Sequence, residues 1–160
     1  MSMAPSLVLL LAFLIGVVCG LRSLTAPAVV AWAAHRGWIQ PNHAYLHFLG
    51  STAAVSVFTL FAIVELVADK LPSAPSRTAP PGLIARIVLG ALCGGAIAVA
   101  GAQSIAIGAL SGAAGGIAGA FGGYQVRTRL VKALKVPDFV IAILEDAVAI
   151  GAGLFIVTRF

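Results

Sequence analysis

The feature that most constrains this chain is a pair of apolar runs, residues 83–101 and 104–123, with only Ala102 and Gln103 between them. Each is long enough to cross a hydrocarbon core of about 30 Å as a helix, for which roughly 17–25 apolar residues suffice. A closed β-barrel also satisfies backbone polar groups in lipid, but its strands alternate apolar and polar residues, and these runs are continuous. Stretches 7–34, 49–68 and 139–158 share the same character. With 61% hydrophobic and 9% charged residues and a mean hydropathy of +1.08, the chain has too little polar surface for a soluble domain. The expected fold is an all-α, polytopic transmembrane helical bundle of about five spans, forming a single integral membrane domain over residues 1–160.

Basic residues are retained on the cytoplasmic side of membrane proteins, and here they are distributed unevenly. Lys70, Arg77 and Arg86 flank the second connection and Arg127, Arg129, Lys132 and Lys135 fill the fourth, whereas the opposite side has only Arg36 and Arg159. Five spans then place the N-terminus in the cytoplasm and the C-terminus outside, in a multi-pass protein of the inner (plasma) membrane. The stretch 7–18 has the length of a signal-peptide core but no positive flank and no small-x-small cleavage pattern, so it is read as a retained span. Cys19 and Cys93 fall inside apolar spans and are read as buried, inert thiols.

The first run, 7–34, would extend about 42 Å as one helix, more than the core needs. It carries Arg22 near its middle, in GLRSLTAPAVV, and Pro27 five residues later. A break near residues 23–27 resolves both facts, with Ser23 and Thr25 able to partner the backbone groups that Pro27 frees. A central Arg costs roughly 2.5–3.5 kcal/mol on insertion scales, so Arg22 needs a partner or a water-filled cavity.

Four acids are candidates. FAIVELVADKLP places Glu65 and Asp69 at i and i+4 on one helical face, with Arg86 at similar depth as the natural partner of either. IAILEDAVAI places Glu145 and Asp146 about 100° apart around a helix, so that one faces Arg22 and the other faces a cavity or a second basic group. Such a cluster either holds an exchangeable proton or is a satisfied ion-pair network that fixes helix register.

In the run 104–123, Gly108, Gly112 and Gly116 share one register and Gly115, Gly119 and Gly123 another. Small-xxx-small repeats let helix backbones approach closely. Two such faces predict two close neighbours, with one face open to another protomer, and a homo-oligomer is expected. Gly16 and Gly20 ahead of Arg22 also echo Gly119 and Gly123 ahead of Arg127, each unit leading to a helix with an acid, Glu65 or Glu145. In a five-span chain the two units would be oppositely oriented, which is either an inverted repeat of the transporter kind or coincidence in so Ala/Gly-rich a sequence.

The proline-rich segment 71–81 reads as a linker. Trp38 and Tyr45, in the polar segment 35–48, suit the headgroup level. Arg127, Arg129, Lys132 and Lys135, interleaved with apolar residues, suit either topology anchoring or contact with anionic membrane lipids. The net charge of +5 is explained by these loops, and no nucleic-acid partner is expected. His43 and His47 have the spacing of a metal pair, with His35 nearby, but no Cys, Asp or Glu completes a site in that loop, so no metal and no cofactor are expected. Phosphate-loop, nucleophile-elbow and HExxH signatures are absent, and the chain is not read as an enzyme.

GLRSLTAPAVVAW, ELVADKLP with the following SRTAPP, the glycine-rich span and ILEDAVAI together resemble a family of small bacterial inner-membrane proteins known as a domain of unknown function. The resemblance spans nearly the whole chain and implies the membrane class without a mechanism. Two functions remain open: a small-solute or ion transporter or channel built on Arg22, Ser23, Thr25, Pro27, Glu65, Asp69, Arg86, Glu145 and Asp146, or a non-transporting scaffold in which those charges only lock helices together.

Overall fold

The computed structural model describes residues 3–70 and 78–160, so most of the 71–81 linker lies outside the described residues. The regular structure among those residues is helical: α1 (Pro5–Leu21), α2 (Thr25–His35), a 3-10 turn (His47–Gly50), α3 (Thr52–Ala68), α4 (Pro80–Ala100), α5 (Ile105–Leu134) and α6 (Asp138–Val157). By length and composition α4, α5 and α6 can each cross a membrane, while α1 and α3 are shorter apolar helices. This is the pattern of a membrane protein.

Local chemistry sets the boundaries. Pro5 and Pro80 open α1 and α4 in the first turn, where a missing N–H costs nothing. Ser51 caps α3 by accepting a hydrogen bond from the Ala54 N–H at 3.1 Å. Lys135 ends α5 in the left-handed region, at φ 52°, and Pro137 precedes α6. Because α5 continues unbroken to Leu134, the basic segment is its last turns and not a separate connection. Its 30 residues rise about 45 Å, well beyond a hydrocarbon core.

The first run is broken where the sequence indicates, but the break is a reversal. α1 runs parallel to α5, with Gly16 against Gly112 and Gly20 against Gly116 and Gly119. α2 runs back antiparallel to α3. At its start the Leu24 N–H donates to Glu65 near the end of α3, further along the Trp32 indole donates to Thr59 at 3.0 Å, and at its end His35 meets the Gly50 carbonyl at 2.9 Å. The six helices therefore alternate in direction.

Met3, residues 37–40, Asn42, residues 99–102 and Phe160 line one cavity. Both ends of the bundle's chain thus lie together, which corrects the five-span reading with termini on opposite sides. The physical reason is the role of Pro27. It lies in the first turn of α2, where it starts a new helix instead of kinking an existing one. The inverted-repeat layout is corrected by the same fact, since the helices bearing the two Gly–Arg units run parallel.

α5 is the central helix, packed most extensively against α4 and α1. A Cβ on Gly116 would lie 2.6 Å from the Arg86 carbonyl oxygen, and one on Gly94 would lie 2.5 Å from that of Gly108. Gly115 and Gly119 meet the α1 backbone at Phe13, Gly16, Val17 and Gly20. Gly108, Gly112 and Gly116 therefore find a close neighbour in α4, and Gly115 and Gly119 find one in α1. Ile15, Cys19, Val30, Cys93, Ile97 and Ala149 fill the buried core between the two ends of the bundle.

Candidate functional site

The reversal between α1 and α2 places Arg22 at the tip of a helical hairpin, in extended conformation with φ −138° and ψ 108°. Arg22 is fully buried, the largest side chain to be so. Its Nε donates to Asp146 Oδ1 at 2.6 Å and its Nη2 to the Ala142 carbonyl at 3.3 Å. Nη1 pairs with the Asp69 carboxylate, and Nη2 is 3.5 Å from Glu145 Oε2. One guanidinium thus joins α3 and α6 to the hairpin tip.

Asp146 is shared. Its second oxygen accepts from Lys70 Nζ at 2.6 Å, and Lys70 also donates to the Leu66 carbonyl at 2.7 Å. Glu145 faces a second basic residue, with Oε2 3.5 Å from Arg127 Nη1, and Arg127 in turn holds Asp138 with Nε to Oδ1 at 2.8 Å. The two adjacent acids of ILEDAV thus both reach Arg22, which corrects the expectation that only one would face it, and their 100° separation shows in their second partners, Lys70 for Asp146 and Arg127 for Glu145.

Glu65 has a different task. Its carboxylate accepts from the Ser23 and Leu24 backbone N–H groups, each at 2.8 Å, and from the Ser23 hydroxyl. These are the donors that the start of α2 leaves without helical partners, and an anion there also complements the helix dipole. Arg86 Nη2 is 3.9 Å from Glu65, and its other nitrogens donate to the carbonyls of Gly20 at 3.1 Å and Gly82 at 3.0 Å. Glu65 and Arg86 thus bind the tip to α3 and α4.

All five acids of the chain belong to this assembly, with Arg22, Lys70, Arg86 and Arg127 as its cations. The sequence identifies Arg22, Ser23, Glu65, Asp69, Arg86, Glu145 and Asp146, and the structure brings them together. Thr25 and Pro27 shape the start of α2 but stand apart. The Thr25 hydroxyl is buried without a hydrogen-bond partner among the described residues, so the partnering expected of it is not made, and Glu65 serves the N–H groups instead. Lys70, Arg127 and Asp138 were not legible as members. Lys70 and Arg127 read as membrane-side anchors, and the one available signal is numerical: five acids cannot be balanced by Arg22 and Arg86 alone.

The opposite end differs in character. A cavity of about 600 Å³ is lined by Trp38, Gln40, Asn42, Gly101, Arg159 and others. Cys19 and Cys93, both free and buried, lie in the intervening core with sulfurs 3.9 Å apart. The His residues of 35–47 lie at the cavity end, where His43 stacks near Tyr45.

A family model described as a domain of unknown function, DUF4126, matches residues 9–158, so the chain belongs to that family. No curated protein and no solved structure matches it.

Proposed function

We propose that this member of the DUF4126 family is a multi-pass protein of the bacterial inner membrane that moves a small solute or ion, with the Arg22 network as the closed gate at its cytoplasmic end. The observation that carries the reading is a fully buried arginine contacting three carboxylates at a chain reversal. Buried ion pairs are weak stabilisers compared with well-packed apolar groups, and intramembrane charges point first to function. Orientation follows from the basic residues: Lys70, Arg86, Arg127, Arg129, Lys132 and Lys135 belong to the network end, leaving Arg36 and Arg159 at the other. That makes the network end cytoplasmic and puts both chain ends outside, next to the 600 Å³ cavity.

In this reading the cavity admits solute from outside, and opening the far end requires Arg22 and Lys70 to release Asp146. Transport, not covalent catalysis, is the task. Flux of protons and simple ions into proteoliposomes tests it: wild-type protein should exceed empty vesicles for at least one species, and Asp146→Asn should abolish that flux while the protein stays folded. One observation favours the scaffold alternative, namely that Glu65 is committed to holding the hairpin tip. Absence of flux for every ion, with the folded state intact, would select it.

A further inference from the structure

Between α5 and α6, beside the end of α1, lies an open groove of about 230 Å³ lined by Val126, Leu130, Ile141, Leu144 and Val148, with Arg127 and Glu145 as its polar residues. We propose that this groove seats an acyl chain of an anionic phospholipid whose phosphate engages Arg127. The inference rests on the membrane reading above, but not on transport.

Three observations select this occupant. The wall is hydrocarbon-like and its α6 side faces outward, Val148 being 61% and Leu144 56% exposed. Among the described residues lining the groove the one cation is Arg127, which supplies the planar donor fork that recognises phosphate. The helix carrying it continues through Arg129 and Lys132 to its cap at Lys135 without an acid, so the approach to the groove from the cytoplasmic side is positive.

The placement also has a consequence for the network. Arg127 already serves two carboxylates, Asp138 at the surface and Glu145 toward the interior. A lipid phosphate competes with both. Drawing Arg127 outward would remove one cation from Glu145, whose carboxylate is also 3.5 Å from Arg22, and so shift the charge balance at the hairpin tip. Lipid headgroup charge is thereby linked to the Arg22 network through one shared side chain.

The test is retention of phosphatidylglycerol against phosphatidylcholine by the full-length protein, read by native mass spectrometry from mixed-lipid nanodiscs. Wild type should prefer phosphatidylglycerol, and Arg127→Gln should reduce the preference by about fivefold, the effect of one basic residue near a charged lipid surface. Val148→Trp, an exposed position whose change spares the core, should lower retention of both lipids by filling the groove. Arg129→Gln should change little. Equal losses for Arg127→Gln and Arg129→Gln would show diffuse charge attraction and overturn the site, as would a wild-type protein without headgroup preference. None of these readouts involves flux, so failure here leaves the transport reading standing, and failure of flux leaves this site standing.

Discussion

Arg22 shows how one side chain fixes the chemistry around it. A buried guanidinium needs opposite charge and hydrogen-bond acceptors from the protein, and the chain brings Asp69, Glu145 and Asp146 as ion-pair partners, with Asp146 and the Ala142 carbonyl accepting from Nε and Nη2. Removing the arginine alone leaves three carboxylates crowded, with Lys70 and Arg127 as the remaining cations at Asp146 and Glu145. Arg22→Leu should therefore cost about 3–5 kcal/mol in detergent unfolding. In double-mutant cycles the coupling to Asp146→Leu should exceed that to Glu145→Leu, because the first contact is 2.6 Å and hydrogen-bonded and the second 3.5 Å. Equal coupling would contradict this division of roles. Glu65→Gln keeps the side chain's shape but offers an amide NH₂ where both oxygens now accept, and leaving one backbone donor unmet should cost about 1–3 kcal/mol.

At the scale of the element, α5 depends on absent side chains. Its glycines on the α1 and α4 faces let backbones touch, and van der Waals contact at that distance replaces the hydrophobic drive that lipid cannot supply. Gly116→Ala forces a methyl against the Arg86 carbonyl and should destabilise the bundle by about 1–3 kcal/mol. Gly122, on the same helix, has open space around its Cβ position. Gly122→Ala should be neutral or stabilising by up to about 1 kcal/mol, since Ala is the better helix former. Matching thermal shifts for the two variants would refute the close-packing account. The glycine registers were readable from spacing alone, because a helix imposes one geometry on all its residues. Their partners were not, because Gly16, Gly20, Gly90 and Gly94 are brought opposite them only by the fold.

Across the whole molecule, apolar run length gave the helices, and the unusual position of Arg22 gave the place of the break. Direction after the break was hidden. Proline punctuates a helix identically whether the chain continues or turns back, and what decides is Glu65, a residue far along the chain whose carboxylate captures the Ser23 and Leu24 N–H groups. The membership of Lys70, Arg127 and Asp138 in the network was hidden for the same reason, since their contacts span distant helices. The reversal turns α2 back along α3, and so it brings Met3 to the same end of the bundle as Phe160.

That change can be measured directly. Single cysteines at the exposed positions Ala4, Asn42 and Lys132, in a chain with Cys19→Ala and Cys93→Ala, should be probed with a membrane-impermeant thiol reagent on intact cells and on inverted vesicles. Ala4→Cys and Asn42→Cys should react from one face and Lys132→Cys from the other. Labelling of Ala4→Cys and Lys132→Cys from the same face would mean that the chain passes straight through at Arg22, and the hairpin tip with its charge network would not exist as described.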